Sequence, residues 1–460
     1  MITNRREFLR TSLGNGLKLA GIGSLTSLAR IDQMLGAPQD EDGFEISERK
    51  SSNQQEVTHL GSPAPGWLTS ADVYNGWYSA WSEEVLRTRL KGFPLIVGVP
   101  HSARWIERAH QSQVRVIHYI SFYKGLNISE AKKAGWPDPQ GFLTSPLFCE
   151  LDLGKHPEWL LYTKEGAVRR PFDRPDYPAG WEQVCTASPG FEEVALRGAR
   201  SLLELGADGL FIDNIHPTLH CYGPAFGKHV HVNGMDNGEA FRKLIADVYA
   251  LVKKNSSEKI VALNPGHVDP IYWPSCDAMM YESYVCSGAT YTCSHSWDPI
   301  LQKAKACQQA LQSGKAVLTL SYMGAPSYDV GNPSSHNASG QPPSKEDAFY
   351  CYACSRISGF LWADWFTLPS NHPAQVLYKV RLGRLLGDME EIDGVYLRRF
   401  QRGIVAVNSS EETKRVQIPR VRMPKLQDIY EGKVIGVRRS NLPVEIAGQS
   451  GRVYASFASS

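Results

Sequence analysis

The sequence predicts an α/β fold, a (β/α)8 TIM barrel with a small C-terminal antiparallel β-sandwich, and three observations carry that prediction. Short apolar runs alternate with helical stretches from about residue 65 to 387, as parallel βαβ units require. Eight such runs occur before the alternation stops, the strand number of a closed barrel. From Ile392 onward the apolar period changes to two, the mark of antiparallel strands with one face buried. An open doubly wound sheet would carry a glycine-rich phosphate turn after its first strand, and Pro100-His101-Ser102 is nothing of the kind.

Leu95 to Pro100 opens the set and leads into a helix from Ala103 to Gln111 and a second strand from Val114 to Ser121. An irregular insertion from Gly125 to about Gly180 ends at Gln183 to Ser188, which reads as the third strand. The helix from Phe191 to Leu205 places Val194, Ala199, Leu202 and Leu203 at helical spacing, with Gly206 set to end it. Strand four is Gly209 to Asp213. A helix over 238–254, strands over 259–264 and 278–282, and a helix over 299–312 follow. A strand over 316–321, a helix over 346–358, a strand over 360–364 and a helix over 373–386 complete the barrel. Six short runs, 394–400, 403–408, 414–418, 428–430, 444–446 and 452–457, then make the sandwich.

With 49 Lys and Arg against 47 Asp and Glu among 460 residues, the net charge of +2 provides no electrostatic footprint for nucleic acid. No stretch reaches the roughly 20 apolar residues of a membrane span. Asn4-Arg5-Arg6-Glu7-Phe8-Leu9-Arg10, ahead of a weakly apolar run to Ala29, resembles a twin-arginine export signal. The predicted organisation is a signal over 1–29, a polar tether over 30–64, the barrel over 65–387 and the sandwich over 388–460. The mature chain then starts after Ala29 or Ala37 and is periplasmic or secreted. The nine cysteines are an odd number, Cys286 and Cys293 bracket a loop that a disulfide can close, and Cys351-Tyr-Ala-Cys354 lies inside a helix, where packing is its expected role.

In a barrel the reactive groups stand at the C-terminal ends of the strands, because the loops there form the open mouth. Strand four ends in Asp213-Asn214, strand five in Asn264, strand six in Glu282-Ser283 and strand eight in Asp364-Trp365; the strand before the insertion runs into Tyr123. By the alternation of side chains, Asp213 shares its face with Gly209 and Phe211, and Glu282 shares its face with Ala278 and Met280. Carboxylates on alternate strands flank a gap of about 5–9 Å, the range of both retaining and inverting glycoside hydrolysis. In such a pair one carboxylate stays ionised and the other holds a proton for the leaving oxygen. Tyr123, Asn214, Asn264, Tyr281, Ser283, Asp364 and His216 are candidates for sugar hydroxyls. Trp77, Trp81, Trp297, Trp362 and Trp365 are available as stacking platforms. Asp208 belongs to the turn between Gly206 and Gly209.

Gly206-Ala-Asp-Gly-Leu-Phe-Ile-Asp-Asn214 resembles the strand-four segment of (β/α)8 glycoside hydrolases and glycoside-hydrolase-like families, whose last Asp is the catalytic carboxylate. His156-Pro-Glu-Trp159, Lys164-Glu-Gly166 and Ser188-Pro-Gly190 are similar to the run that precedes it, and residues 403–457 are similar to the sandwich appended to such barrels. The resemblance implies a carbohydrate substrate, α-linked as in the α-galactosidase and α-glucosidase-type relatives, with Asp213 as the nucleophile and Glu282 as the acid/base. Those barrels carry an Asp acid/base on strand six, whereas this chain carries Glu282, closer to the endo-polygalactosaminidase-like pattern.

Two other readings fit the same residues: a catalytically silent barrel that binds glycans, and a zinc-dependent hydrolase built on His216, His220, Cys221, His229 and His231. Pro217 interrupts any helix aligning His216 with His220, and no complete ligand set with fixed spacing appears, so the expectation is no metal and no cofactor.

Overall fold

Strands four and five, Gly209–Asp213 and Ile260–Asn264, are buried at every position, the pattern of parallel strands covered on both faces. The computed structural model describes residues 60–69, 71–76, 94–97, 103–135, 152–171, 179–215, 220–286, 293, 295–323, 343–364, 368 and 371–456. The signal over 1–29, most of the tether, Trp77, Trp81, His216 and Trp365 lie outside the described residues.

The barrel strands are β1 (Asn75–Gly76), β2 (Leu95–Val97), β3 (Arg115–Ser121), β4 (Gly209–Asp213), β5 (Ile260–Asn264), β6 (Ala278–Tyr281), β7 (Ala316–Ser321) and β8 (Leu361–Asp364). Their order in the sheet is their order in the chain. Every adjacent pair whose register is resolved is parallel. Helices α1 (Ala103–Gln111), α2 (Phe191–Glu204), α3 (Asn237–Asn255), α4 (Trp297–Ala306) and α5 (Lys345–Ile357) lie between them. This is the predicted (β/α)8 arrangement with one strand exchanged. Among the described residues the sheet has eight strands, but the first is Asn75–Gly76, and the run from Gln183 to Ser188 is not in the barrel. Instead Trp181–Gln183 pairs antiparallel with Lys124–Leu126, because the insertion folds back on the end of β3 rather than adding a parallel strand.

The described residues fall into two compact units, one holding Val73–His267 and Ala278–Met280, the other Val268–Asp277 and Tyr281–Ser460 with the segment before Val73. In the first, Asp208 explains much of strand four's placement. Its carboxylate accepts from Val116 N at 2.8 Å and Arg115 Nη1 at 2.6 Å and pairs with His110 Nε2 at 2.8 Å, so β3, α1 and the start of β4 are held by one side chain. A Cβ on Gly209 would stand 2.1 Å from the Ile260 carbonyl oxygen, so only glycine lets β4 lie this close to β5. Asp236 caps α3 by accepting from Gly238 N at 2.8 Å, and Lys253 and Lys254 sit in its last turn, where the helix dipole favours cations.

In the second unit the buried pair Asp72–Arg356, at 2.8 Å, joins the segment before β1 to α5. Asp72 also accepts from Leu382 N at 2.8 Å, while its backbone oxygen accepts from Trp362 N of β8 at 3.2 Å. That hydrogen bond takes Leu382 N away from a helical ladder, and the helix expected over 373–386 is a short 3-10 segment, Pro373–Lys379. The helix expected over 299–312 breaks at Cys307 into Trp297–Ala306 and Gln308–Gln312.

The C-terminal strands are β9 (Glu390–Ile392), β10 (Val395–Phe400), β11 (Gly403–Asn408), β12 (Lys414–Ile418), β13 (Lys425–Asp428), β14 (Val434–Gly436), β15 (Leu442–Ile446) and β16 (Ser450–Ala455). They form a six-stranded antiparallel sheet, β9-β10-β11-β16-β13-β14, and a two-stranded one, β12-β15. Val395, Leu397, Ile404 and Ala406 of the larger sheet pack in one core with Val416, Ile418, Leu442 and Ile446 of the smaller. Each of these Val, Leu and Ile side chains contributes about 1.5–3 kcal/mol by leaving water. The strand expected over 428–430 ends at Asp428, whose carboxylate accepts from Tyr430 N and Glu431 N and closes a turn.

Candidate active site

Asp213 ends β4 and is 7% exposed. Register fixes its neighbours: Ser121 of β3 and Asn264 of β5 both stand opposite it, so three adjacent strands present polar side chains on one face at their C-terminal ends. Asn264 Nδ2 donates to Asp213 Oδ1 at 2.7 Å, and Tyr119 Oη donates to Oδ2 at 2.8 Å. The backbone N–H of Asn214 also donates to the carboxyl, and the Lys124 ammonium attracts it. Burial pushes the Asp213 pKa above its ordinary value, and these four favourable interactions oppose the shift without cancelling it. A carboxylate held at both oxygens, each by a neutral donor, has a fixed orientation.

The other predicted residues of the first unit surround this group. Asn264 Oδ1 accepts from Gly266 N at 3.0 Å, so its amide is committed to fixing Asp213 and the following turn. Asn214 adopts a left-handed backbone, φ 58°, and Ser121 Oγ meets its Oδ1 at 3.5 Å. Tyr123 is buried and accepts from Gln183 Nε2, which ties it to the folded-back hairpin. Tyr119 and Lys124 escape the sequence reading. Their signal is parity and position: Tyr119 lies two residues before Ser121 on the face of Asp213, and Lys124 comes three residues after the end of β3.

Glu282 follows β6 in a turn and is partly exposed, with Tyr322 Oη donating to its Oε2 at 3.1 Å. Ser283 has φ 48°, and its carbonyl accepts from Lys303 Nζ at 3.2 Å. The same ammonium lies 5.5 Å from the ring centres of Tyr281 and Tyr284. Asp364 is the last residue of β8, and its side chain lies outside the described part. Two of the proposed platforms are packing residues instead. Trp362 is fully buried, edge-on to Tyr352 and stacked on Tyr378, while Trp297 packs on Tyr396 at 4.6 Å.

Cys286 and Cys293 form the expected disulfide, with Cys351 Sγ 3.2 Å from Cys286 Sγ; Cys351 and Cys354 are both buried in α5. A cavity of about 660 Å³ in the second unit is lined by His295, Trp297, Ser410, Glu411 and Gln449; of the predicted residues only the platform candidate Trp297 borders it. His220 Nδ1 pairs with the Asp236 carboxylate at 2.8 Å, which separates it from Cys221, His229 and His231. Those three gather instead around Cys185.

Upstream, His156 stacks on Trp159 at 3.8 Å and Trp159 Nε1 donates to Pro189 O at 2.9 Å, so the His-Pro-Glu-Trp run braces the insertion against the start of α2.

Among solved structures, Amy13B from Eubacterium rectale is similar over 86% of this chain and 98% of its own, with TM-score 0.50 and 10% identity, which shows a shared fold. The debranching enzyme of Nostoc punctiforme aligns over 86% of this chain and 100% of its own, with TM-score 0.49 and 12% identity. The noncanonic maltogenic alpha-amylase AmyB of Thermotoga neapolitana aligns over 85% and 100%, with TM-score 0.49 and 10% identity. No curated protein matches the chain. The family model described as hypothetical glycosyl hydrolase family 15 matches residues 108–404, more than half of the chain, and the protein belongs to that family of glycoside hydrolases.

Proposed function

We propose that the chain is an exported glycoside hydrolase that cleaves an α-linked oligo- or polysaccharide with two carboxylates, Asp213 as nucleophile and Glu282 as acid/base. The observation that carries this reading is the Asp213 carboxylate, buried at the end of β4 and held by Tyr119 and Asn264. Desolvating a carboxylate costs free energy, and a barrel core does not need one for packing.

In the proposed reaction Asp213 attacks the anomeric carbon as the bond to the glycosidic oxygen breaks, and Glu282 gives that oxygen its proton. Glu282, now ionised, takes a proton from water as the water displaces Asp213 and releases the sugar. Tyr119 and Asn264 supply hydrogen bonds that orient the attacking oxygen. The α-linkage rests on the resemblance of residues 206–214 to the α-glycosidase barrels, and export rests on Arg5-Arg6 and the run behind them.

Product analysis after incubation with a panel of polysaccharides and aryl glycosides tests the reading. Release of reducing sugar from an α-linked member supports it. Binding without release over days identifies a glycan-binding barrel instead, and release only from β-linked members overturns the linkage.

A further inference from the structure

We propose that Cys185, Cys221, His229 and His231 form a closed four-ligand zinc site that pins the loop after β4 to the segment preceding α2. The inference stands on this cluster and does not depend on the roles of Asp213 and Glu282. One donor atom from each residue lies within 4.8 Å of all the others. Cys221 Sγ is 3.4 Å from His229 Nε2, and Cys185 Sγ is 3.4 Å from His231 Nε2. A tetrahedral zinc ion with ordinary Zn–S and Zn–N bonds separates sulfur from nitrogen by about 3.5 Å.

The surroundings are those of a built thiolate site. Gly223 N and Tyr162 N point at Cys221 Sγ, at 3.4 and 3.5 Å, and backbone N–H donors to sulfur stabilise its charge. A Cβ on Gly223 would stand 2.2 Å from His229 Cε1, so glycine there makes room for the imidazole. Cys185 is buried, and its N–H is fixed by the Trp159 carbonyl at 2.8 Å. Two thiols and two imidazoles are a zinc-type ligand set.

Two sulfurs and two nitrogens favour zinc over hard cations, and four protein ligands leave no open position for water. The site is therefore structural, in contrast to the zinc-hydrolase reading. It departs from the expectation of no metal, and the reason is chain distance: Cys185 lies far upstream of Cys221, and His220, which the spacing suggests, is engaged by Asp236. The loop closed by the metal is the one that leaves Asp213, and Tyr222 N and Val232 N already tie it to Tyr162 O and Ala187 O, at 3.0 and 2.9 Å.

The test is elemental analysis of the full chain purified from zinc-replete cells without chelators, together with the cobalt-substituted spectrum. About one zinc per chain is expected, and cobalt in its place should give the thiolate charge-transfer and strong visible bands of a tetrahedral site. Cys221→Ser and His229→Ala should each bind less than about a tenth of that zinc, while His220→Ala keeps it. If the variants do not fold, unfolding the wild-type chain in a chromogenic chelator should still release about one zinc per chain. Metal-free wild-type protein, a Cys185–Cys221 disulfide found by mass spectrometry, or equal zinc loss in His220→Ala would overturn the proposal.

Discussion

The hydroxyl of Tyr119, on β3, donates to Oδ2 of Asp213, on the neighbouring β4, at 2.8 Å. This hydrogen bond stabilises the ionised carboxylate against the burial that raises its pKa. In the proposed mechanism Asp213 must be ionised to react, so the acid limb of the kcat/KM profile should lie above the ordinary aspartate value of 3.8. Tyr119→Phe removes an interaction that lowers the pKa, and the limb should move to higher pH. An unchanged limb in that variant would assign it to another group.

Asp213→Asn should lower kcat on the order of 10⁴-fold or more, the scale of losing a nucleophile. The same change should stabilise the fold at neutral pH. A carboxyl whose folded pKa is raised gives stability that is fully present below its unfolded pKa and lost as pH rises through the folded one. Asparagine has no charge to desolvate, and its amide can donate to Tyr119 Oη. Melting curves should therefore show the variant above wild type at pH 7, with the gap closing below about pH 3.8.

Glu282→Gln should affect substrates unequally. A glycoside whose leaving group needs protonation should lose on the order of 10²–10⁴-fold, the scale of general acid catalysis. An aryl glycoside with a strongly acidic leaving phenol should lose far less. Equal loss on both, measured as kcat/KM, would remove Glu282 from the acid role.

Asp72 and Arg356 make a separate prediction about stability. Both are almost fully buried, at 1% and 3% exposure, and burial pushes the Asp72 pKa up even beside the guanidinium. Asp72→Ala leaves Arg356 without its carboxylate and Leu382 N without its acceptor, and should cost about 3–5 kcal/mol in denaturant unfolding. Arg356→Met together with Asp72→Leu should recover much of that loss. A single substitution that costs nothing would show the pair to be dispensable.

The barrel is legible in the sequence because its period is strong: β4, β5, β7 and α2 occupy nearly the residues that their apolar spacing marks. Asn75–Gly76 escapes because two residues carry no period, and Gln183–Ser188 misleads because an apolar run has the same composition in a hairpin as in a barrel strand. Asp213 is legible as an acid at the end of an apolar strand. Tyr119 and Asn264 acquire meaning only from register, which places them beside it across strand neighbours. The thiol–imidazole cluster is the extreme case. Cys185 and His231 are brought together by the folded-back insertion, and nothing in their spacing announces it.

The role of Asp213 is tested most directly by trapping. A fluorinated glycosyl fluoride of the sugar that the substrate panel identifies should form a glycosyl-enzyme that turns over slowly, and peptide mapping by mass spectrometry should find the label on Asp213. A label on a different carboxylate, or inactivation-free turnover with inverted product, would contradict the account.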